Sequence, residues 1–356
     1  MHFSRTSCMF SVLWRERSTN NSFNRKMSQP ITDTFGRKHT YLRISLTDKC
    51  NLRCTYCMPQ EDMQFMPSKW LMQADEIQTL AEIFVDMGVE KIRLTGGEPL
   101  IRKDASQIIR NLGSLSTSLT LTTNAVFVDQ FIDDLKIAGV RSLNVSLDTL
   151  NEQSFKNITK RDHFGKTLDS IRLLISEGFV VKINMVVMRG VNDEEVNDFV
   201  RLTLDEPNLH VRFIEFMPFN GNKWDMSKIV SYNDLLTDIG TQFSFIKLQG
   251  EVHDTAHNFQ VNGGKGTFGI IGTVTHPFCS GCNRIRLTAD GKLKNCLFDT
   301  TEADLLTPLR RGEDVRTLIY SHFHKKHFAH GGHIDFTEKN AREDYEQNRR
   351  MISIGG

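Results

Sequence analysis

Cys50-Asn51-Leu52-Arg53-Cys54-Thr55-Tyr56-Cys57 spaces three thiols as C-x3-C-x2-C, with an aromatic residue ahead of the last. The run follows Tyr41 to Leu46, whose apolar alternation predicts a β-strand. Three thiolates on one short loop can hold three corners of an iron–sulfur cluster, whereas a closed [4Fe–4S] or structural zinc site takes a fourth ligand. The next residues, Met58, Pro59 and Gln60, supply none. A cluster held this way keeps one iron open to bind a ligand. A zinc knuckle with a distant fourth ligand, or a buried cysteine group, satisfies the same spacing.

Outward from this loop, strand and helix patterns alternate. Strands are expected at 41–47, 91–95, 119–123, 142–147, 180–188 and 210–217. Helices are expected at 73–87, 103–112, 128–138, 151–159 with 165–176, and 193–204. Six consecutive β/α units predict an α/β fold with a parallel sheet and helices outside. No G-x-G-x-x-G follows the first strand, which weighs against a dinucleotide-binding fold. After about residue 222 the alternation weakens into a helix near 231–239, short strands near 243–248, 258–261 and 267–272, helix in 302–330 and an irregular 331–356. The expected division is a tail at 1–30, an α/β unit at 31–222 and a smaller C-terminal domain at 223–356 that caps the open side of the sheet.

The 356 residues carry 44 basic and 43 acidic side chains, a net charge of +1, so no generic nucleic-acid or membrane surface is implied. No apolar run approaches the roughly 20 residues of a membrane span. Of seven cysteines, Cys8 stands alone and the others form two groups of three, a pattern of metal binding in a reducing compartment. Residues 1–30 are rich in Ser, Asn and Arg, with Glu16 the only acid. They fit a mitochondrial transit peptide, a chain that starts at Met27, or a disordered tail. The last two are favoured because Phe10–Trp14 offers little amphipathic helix.

Other motifs fall at the ends of expected strands, where barrels gather their active sites. Thr95-Gly96-Gly97-Glu98-Pro99 ends the second strand. Paired glycines admit a ligand close to the backbone, and Glu98 can pair with an ammonium group, although alone the motif reads as a tight turn. Leu121-Thr122-Thr123-Asn124 and Ser146-Leu147-Asp148 suit ribose and amino-acid recognition, or helix capping by Asp148 or Asn151. Cys279-Ser280-Gly281-Cys282 with Cys296 forms a second trio, C-x2-C-x13-C. It reads as zinc completed by His276, or as another three-thiolate cluster. Arg284 and Arg286 alternate on one extended segment and make a fork for phosphate oxygens. Arg43, Arg93 and Arg212 lie on strands, and several cations converging on one pocket point to a polyphosphate. His322, His324, His327, His330 and His333 read as a solvated helix face, because Lys325 and Lys326 among them would repel a metal.

The first cysteine run resembles the radical S-adenosylmethionine (SAM) signature. A longer set is similar to the GTP 3′,8-cyclase family of molybdenum cofactor biosynthesis. It comprises Phe35-Gly36-Arg37, Tyr41-Leu42-Arg43, Lys91 to Pro99, Asn144 to Thr149, Arg212 to Met217, the Cys279–Cys296 group and Gly355-Gly356. The resemblance implies a partial (β/α)6 TIM barrel with a C-terminal α+β cap carrying a second cluster. It implies two [4Fe–4S] clusters and SAM as cofactors. Cys50, Cys54 and Cys57 would hold the first cluster and Cys279, Cys282 and Cys296 the second. Tyr56, Gly97, Glu98, Ser146 and Met217 would contact SAM. Arg43, Lys91, Arg93, Thr122, Lys182, Arg212, Arg284, Ile285 and Arg286 would line the GTP site, with Arg286 among the catalytic groups beside the first three cysteines. The implied reaction removes hydrogen from C3′ of GTP and joins C3′ to C8. Its implied partners are a downstream cyclic pyranopterin monophosphate synthase, a flavodoxin- or ferredoxin-type electron donor and a second copy of the chain. The implied compartment is the cytoplasm, or the mitochondrial matrix if 1–30 is a transit peptide. Ala125 stands where the family usually continues Thr-Thr-Asn with Gly, and alanine does not favour a left-handed turn, so the resemblance leaves the loop geometry there open while no proposed ligand is lost. The competing readings are another radical SAM enzyme with an auxiliary cluster, acting for instance on a peptide, and a zinc-binding module without catalysis.

Overall fold

The computed structural model describes residues 29–59, 63–333, 335, 336, 343 and 345–355. Apart from residues 29 and 30, the expected tail at 1–30 lies outside these, as does Gly356. The six expected strands are present: β1 (Tyr41–Ser45), β2 (Lys91–Thr95), β3 (Ser118–Thr123), β4 (Ser142–Ser146), β5 (Val180–Val187) and β6 (Leu209–Glu215). They lie parallel and in sequence order, each paired to the next. The helices between them include α1 (Ala74–Asp86) and α2 (Ala105–Gly113). Period-two alternation divides each strand's side chains between two faces. Leu42, Ile44, Ile92, Leu94, Leu121, Val145, Val181, Ile183, Val211 and Phe213 join the core with Ile77, Leu80 and Phe84 of α1 and Ile108 and Leu112 of α2. The opposite face carries Arg43, Asn184 and Arg212, and it lines a cavity.

The C-terminal half shares this sheet. A strand over Arg284–Leu287 pairs parallel with β1, and one over Thr267–Ile271 pairs parallel with β6. Antiparallel neighbours then extend each side, giving twelve strands in one open sheet among the described residues. The segment the sequence pattern set apart at 223–356 is thus joined to the barrel by two strand ladders. Among the described residues the stretch expected to be irregular after 331 has helical residues at 345–347 and a helical turn, Met351–Ile354, whose Ile352 and Ile354 are buried. No helix among the described residues is long and apolar enough to cross a membrane.

Candidate active site

The loop after β1 places Cys50, Cys54 and Cys57 on the wall of a cavity shared with Gly96, Gly97, Glu98, Ser146, Asp148 and Met217. Burial pushes the Cys50 thiol up to about 12, reinforced by Glu98. It raises Cys54 and Cys57 as well, with Asp148 adding to the first and Cys50 to the second. Such thiols ionise only when cations join them, which is the chemistry of a metal cluster. Among the described residues no three His, Cys, Asp or Glu side chains converge closely enough to hold a single ion. A cluster asks less, since each thiolate binds its own iron. His276, the candidate zinc ligand, stacks on Tyr232 at 4.4 Å instead.

The residues around this trio are braced. A Cβ on Gly97 would stand 2.3 Å from the Lys49 carbonyl oxygen, so only glycine fits there. Glu98 is buried, and its carboxylate accepts from Leu100 N at 3.1 Å, Thr123 Oγ1 at 2.8 Å and Asn124 N at 2.7 Å. It therefore ties the ends of β2 and β3 together, leaving little acceptor capacity for an ammonium group. The Tyr56 hydroxyl donates to Asp148 Oδ2 at 2.8 Å, and Val186 N donates to Oδ1 at 2.9 Å. Burial lifts the Asp148 carboxyl to about 6. Asn151, not Asp148, caps the next helix, accepting from Ser154 N at 2.9 Å.

Strand register assembles the cations. Arg286, Arg43 and Arg93 are direct neighbours on three adjacent strands, and Arg284, Tyr41 and Lys91 are neighbours one step below. Arg93 donates to Thr122 Oγ1 at 3.3 Å and to the Tyr41 hydroxyl. Burial and then Arg286 hold Arg43 well below its ordinary value, and burial and then Arg93 bring Arg212 to about 9. Burial with Arg212, Lys91 and Arg93 lowers Lys182 to about 8. Burial alone would raise Tyr41, but Arg93, Arg43 and Lys91 bring it to about 7. Two buried nitrogens of Arg212, Nε and Nη2, have no hydrogen-bond partner. Gathering buried cations this closely is costly without an anion, so the array can hold a polyanion. Ile285 is fully buried on the opposite face, so its side chain joins the core rather than the cavity.

Cys279, Cys282 and Cys296 line a second cavity with Arg43, Arg212, Arg284 and Arg286. Asn184, Ile214, Met217 and Met351 border both cavities, so the cavities that hold the two cysteine trios share a wall. Burial raises Cys279. It would raise Cys282 too, but Arg284 and Lys326 outweigh it and bring the thiol to about 6.

The sequence of each half matches a known family: residues 44–203 the radical SAM superfamily, and 209–331 Molybdenum Cofactor Synthesis C. The mitochondrial GTP 3′,8-cyclase of Arabidopsis thaliana is 43% identical over 355 residues, 98% of this chain and 89% of that protein. The chain belongs to the GTP 3′,8-cyclase family. It is 44% identical over 91% of its length to mouse molybdenum cofactor biosynthesis protein 1, and spans 51% of that longer protein. Its fold is that of Streptococcus suis SuiB, solved bound to S-adenosylmethionine, with a TM-score of 0.55 at 16% identity over 81% of this chain and 68% of SuiB.

In this GTP 3′,8-cyclase family chain the segment Met351–Gly355 reaches the site. Arg286 Nη1 donates to the Gly355 carbonyl at 2.5 Å, and Ile352 N donates to the Cys57 sulfur. Ala125 has φ 63°, so the backbone keeps the left-handed turn despite its methyl group. Three features escaped the sequence reading. Buried Glu215 accepts from Tyr232 N at 3.1 Å, Val274 N at 2.7 Å and Thr275 N at 3.0 Å, tying β6 to the second cavity's rim. Arg37 donates to the Cys279 and Phe328 carbonyls, both at 2.7 Å. The histidine-rich stretch is not a solvated face throughout: His324 and His327 are exposed, but His322, Lys326 and His330 are buried. His330 Nε2 lies 2.9 Å from the Thr273 carbonyl oxygen. The only signal for these residues was their proximity in sequence to recognised motifs.

Proposed function

We propose that the chain converts GTP to (8S)-3′,8-cyclo-7,8-dihydroguanosine 5′-triphosphate, the first step of molybdenum cofactor biosynthesis. The observation that carries this reading is the row Arg286–Arg43–Arg93, whose first two members line the second trio's cavity, which shares a wall with the first trio's cavity. Cys50, Cys54 and Cys57 would hold a [4Fe–4S] cluster, which would supply the electron for SAM cleavage and so the radical chemistry at ribose C3′. Gly97 gives SAM access to the backbone, and the Tyr56–Asp148 pair fixes the ring that flanks it. Ser146 and Met217 complete that wall. Arg43, Lys91, Arg93, Lys182, Arg212, Arg284 and Arg286 bind the triphosphate, with charge-assisted and bidentate contacts that fix its orientation. Thr122, held by Arg93, faces the ribose. Cys279, Cys282 and Cys296 hold a second [4Fe–4S] cluster at the guanine end.

A different radical SAM enzyme with an auxiliary cluster is disfavoured by the same cations, because a peptide needs no triphosphate cradle. The product would pass to a cyclic pyranopterin monophosphate synthase, with electrons from a flavodoxin- or ferredoxin-type donor and with two copies of the chain associating. The mitochondrial name of the Arabidopsis relative supports the matrix as compartment over the cytoplasm. The test is an anaerobic assay with GTP, SAM and dithionite. The expected result is 5′-deoxyadenosine and cyclised GTP formed together. SAM cleavage that GTP does not couple to a cyclised product overturns the assignment.

A further inference from the structure

Lys326 lies just beyond the helix Arg316–Phe323 and is 4% exposed. Its Nζ donates to the Asn295 carbonyl at 2.8 Å, the Arg284 carbonyl at 3.2 Å and Cys282 Sγ at 3.6 Å. An ammonium group has three protons and no acceptor, so these three contacts use all of its capacity. The contacts also bridge the second site. Asn295 precedes Cys296, Arg284 follows Cys282 by two residues, and the third contact is the Cys282 sulfur itself. Among the described residues Lys326 has no carboxylate partner. The charges that act on it are the Cys282 and Cys296 thiolates and the like-charged Arg37 and Arg284. A buried ammonium without an anion is costly, and the anion available here is the thiolate set. The first trio has carboxylates nearby instead, with Glu98 acting on Cys50 beside Arg53, and Asp148 on Cys54.

We propose that Lys326 is the fixed counter-charge of the second cluster, holding the Cys282 thiolate by hydrogen bond and favouring the cluster's reduced form. The inference rests on the reading that Cys279, Cys282 and Cys296 carry a [4Fe–4S] cluster. Three thiolates make such a cluster anionic, and reduction adds one more negative charge. A permanent positive charge donated to a ligand sulfur stabilises the reduced state more than the oxidised one. Net charge and hydrogen bonds to sulfur are the terms that set cluster potentials. Lys326 acts through Cys282 and is a positioning residue, not a catalytic one.

The test uses the full chain with Cys50, Cys54 and Cys57 changed to Ala, reconstituted anaerobically so that only the second trio can bind iron and sulfide. Lys326→Met removes the charge and keeps the length, and Lys326→Arg keeps the charge. Midpoint potentials come from redox titration followed by EPR. The expected result is a lower potential for Lys326→Met and a potential near the parent's for Lys326→Arg. A Lys326→Met protein that fails to load while Lys326→Arg loads also supports the charge requirement. A fully loaded Lys326→Met protein titrating with the parent overturns the proposal, as does an equal drop in both variants or failure of both to load. A parent that takes up no iron and sulfide overturns the cluster reading itself, and this inference with it.

Discussion

Gly355→Ala tests whether the C-terminal tail belongs to the working site. Gly355 has φ 83°, a conformation that costs a Cβ-bearing residue roughly 1–2 kcal/mol. The new Cβ would stand 2.4 Å from Thr95 Oγ1 and 3.0 Å from Ser45 Cβ. Thr95 is buried at the end of β2, and its hydroxyl donates to the Ile44 carbonyl at 3.3 Å, so it has little room to yield. Overpacking of this kind adds roughly 1–3 kcal/mol. Against this total of roughly 2–5 kcal/mol stand the Arg286–Gly355 hydrogen bond, worth roughly 1.5–3 kcal/mol, and the burial of Ile354, worth about as much. The substitution thus removes most of what seats the tail and lowers its docked population by roughly thirtyfold or more. Thr95 lines the first cavity and Met351 of the tail borders both, so cyclised product should fall at least about tenfold. The melting temperature should fall little, because the tail can leave without opening the core. The assay is the initial rate of product and of 5′-deoxyadenosine at matched iron content, beside a thermal melt. A Gly355→Ala enzyme that turns over at the wild-type rate refutes the reasoning.

Four further outcomes are expected. Cys54→Ser abolishes 5′-deoxyadenosine formation, while Cys282→Ser retains some and makes no cyclised product; equal loss of both in a Cys282→Ser protein with a loaded first site contradicts that division. Arg286→Ala weakens GTP binding by roughly ten- to hundredfold, from about 1.5–3 kcal/mol, and narrows the preference for GTP over guanosine in equilibrium binding; a uniform loss for both ligands contradicts the phosphate role. Arg212→Met, by removing buried nitrogens that lack partners, raises the melting temperature without nucleotide yet reduces stabilisation by added GTP, and a lowered melting temperature counts against it. Asp148 has a folded pKa of about 6, raised from 3.8 by burial, so its carboxyl favours folding while protonated. That contribution is complete below the unfolded value and is lost as pH rises through about 6. Asp148→Asn should flatten the pH dependence of unfolding free energy in that window, and an unchanged slope would argue that the carboxyl is ionised throughout.

The six β/α units were legible because each strand and helix states its buried face in its own period, and the boundaries fall within a few residues of those expected. The cysteine trios and strand-end motifs were legible because their chemistry is local. What sequence could not state was who occupies a strand's edge. Arg284-Ile285-Arg286-Leu287 reads as an extended segment, but nothing in four residues says that it pairs with Tyr41–Ile44. Lys326 was misread for a related reason. A lysine between histidines has the composition of a solvated face, and only the arrival of Cys282, Arg284 and Asn295 around its Nζ makes it an interior group. Ala125 shows the converse: substitution in a recognised turn left the backbone conformation in place, because the hydrogen bonds Thr123 Oγ1 and Asn124 Oδ1 accept from Ala125 N and Val126 N still fix it.

The parallel pairing of Tyr41 with Arg284 has a consequence for biosynthesis. Contacts at this edge span 243 residues, as the Asn283–Thr40 hydrogen bond does. At roughly 5–20 residues per second, a ribosome needs on the order of ten to fifty seconds to deliver the second strand after the first has emerged. Throughout that interval β1 presents an open edge directly beside three unmetallated thiols. Unpaired edges invite pairing with other nascent chains, and long-range strand closure is slow in any case. Chains interrupted before residue 284 would carry this edge permanently and should aggregate or be degraded rather than persist as half-enzymes, even though all six β/α units are complete. The barrel's first strand is finished last.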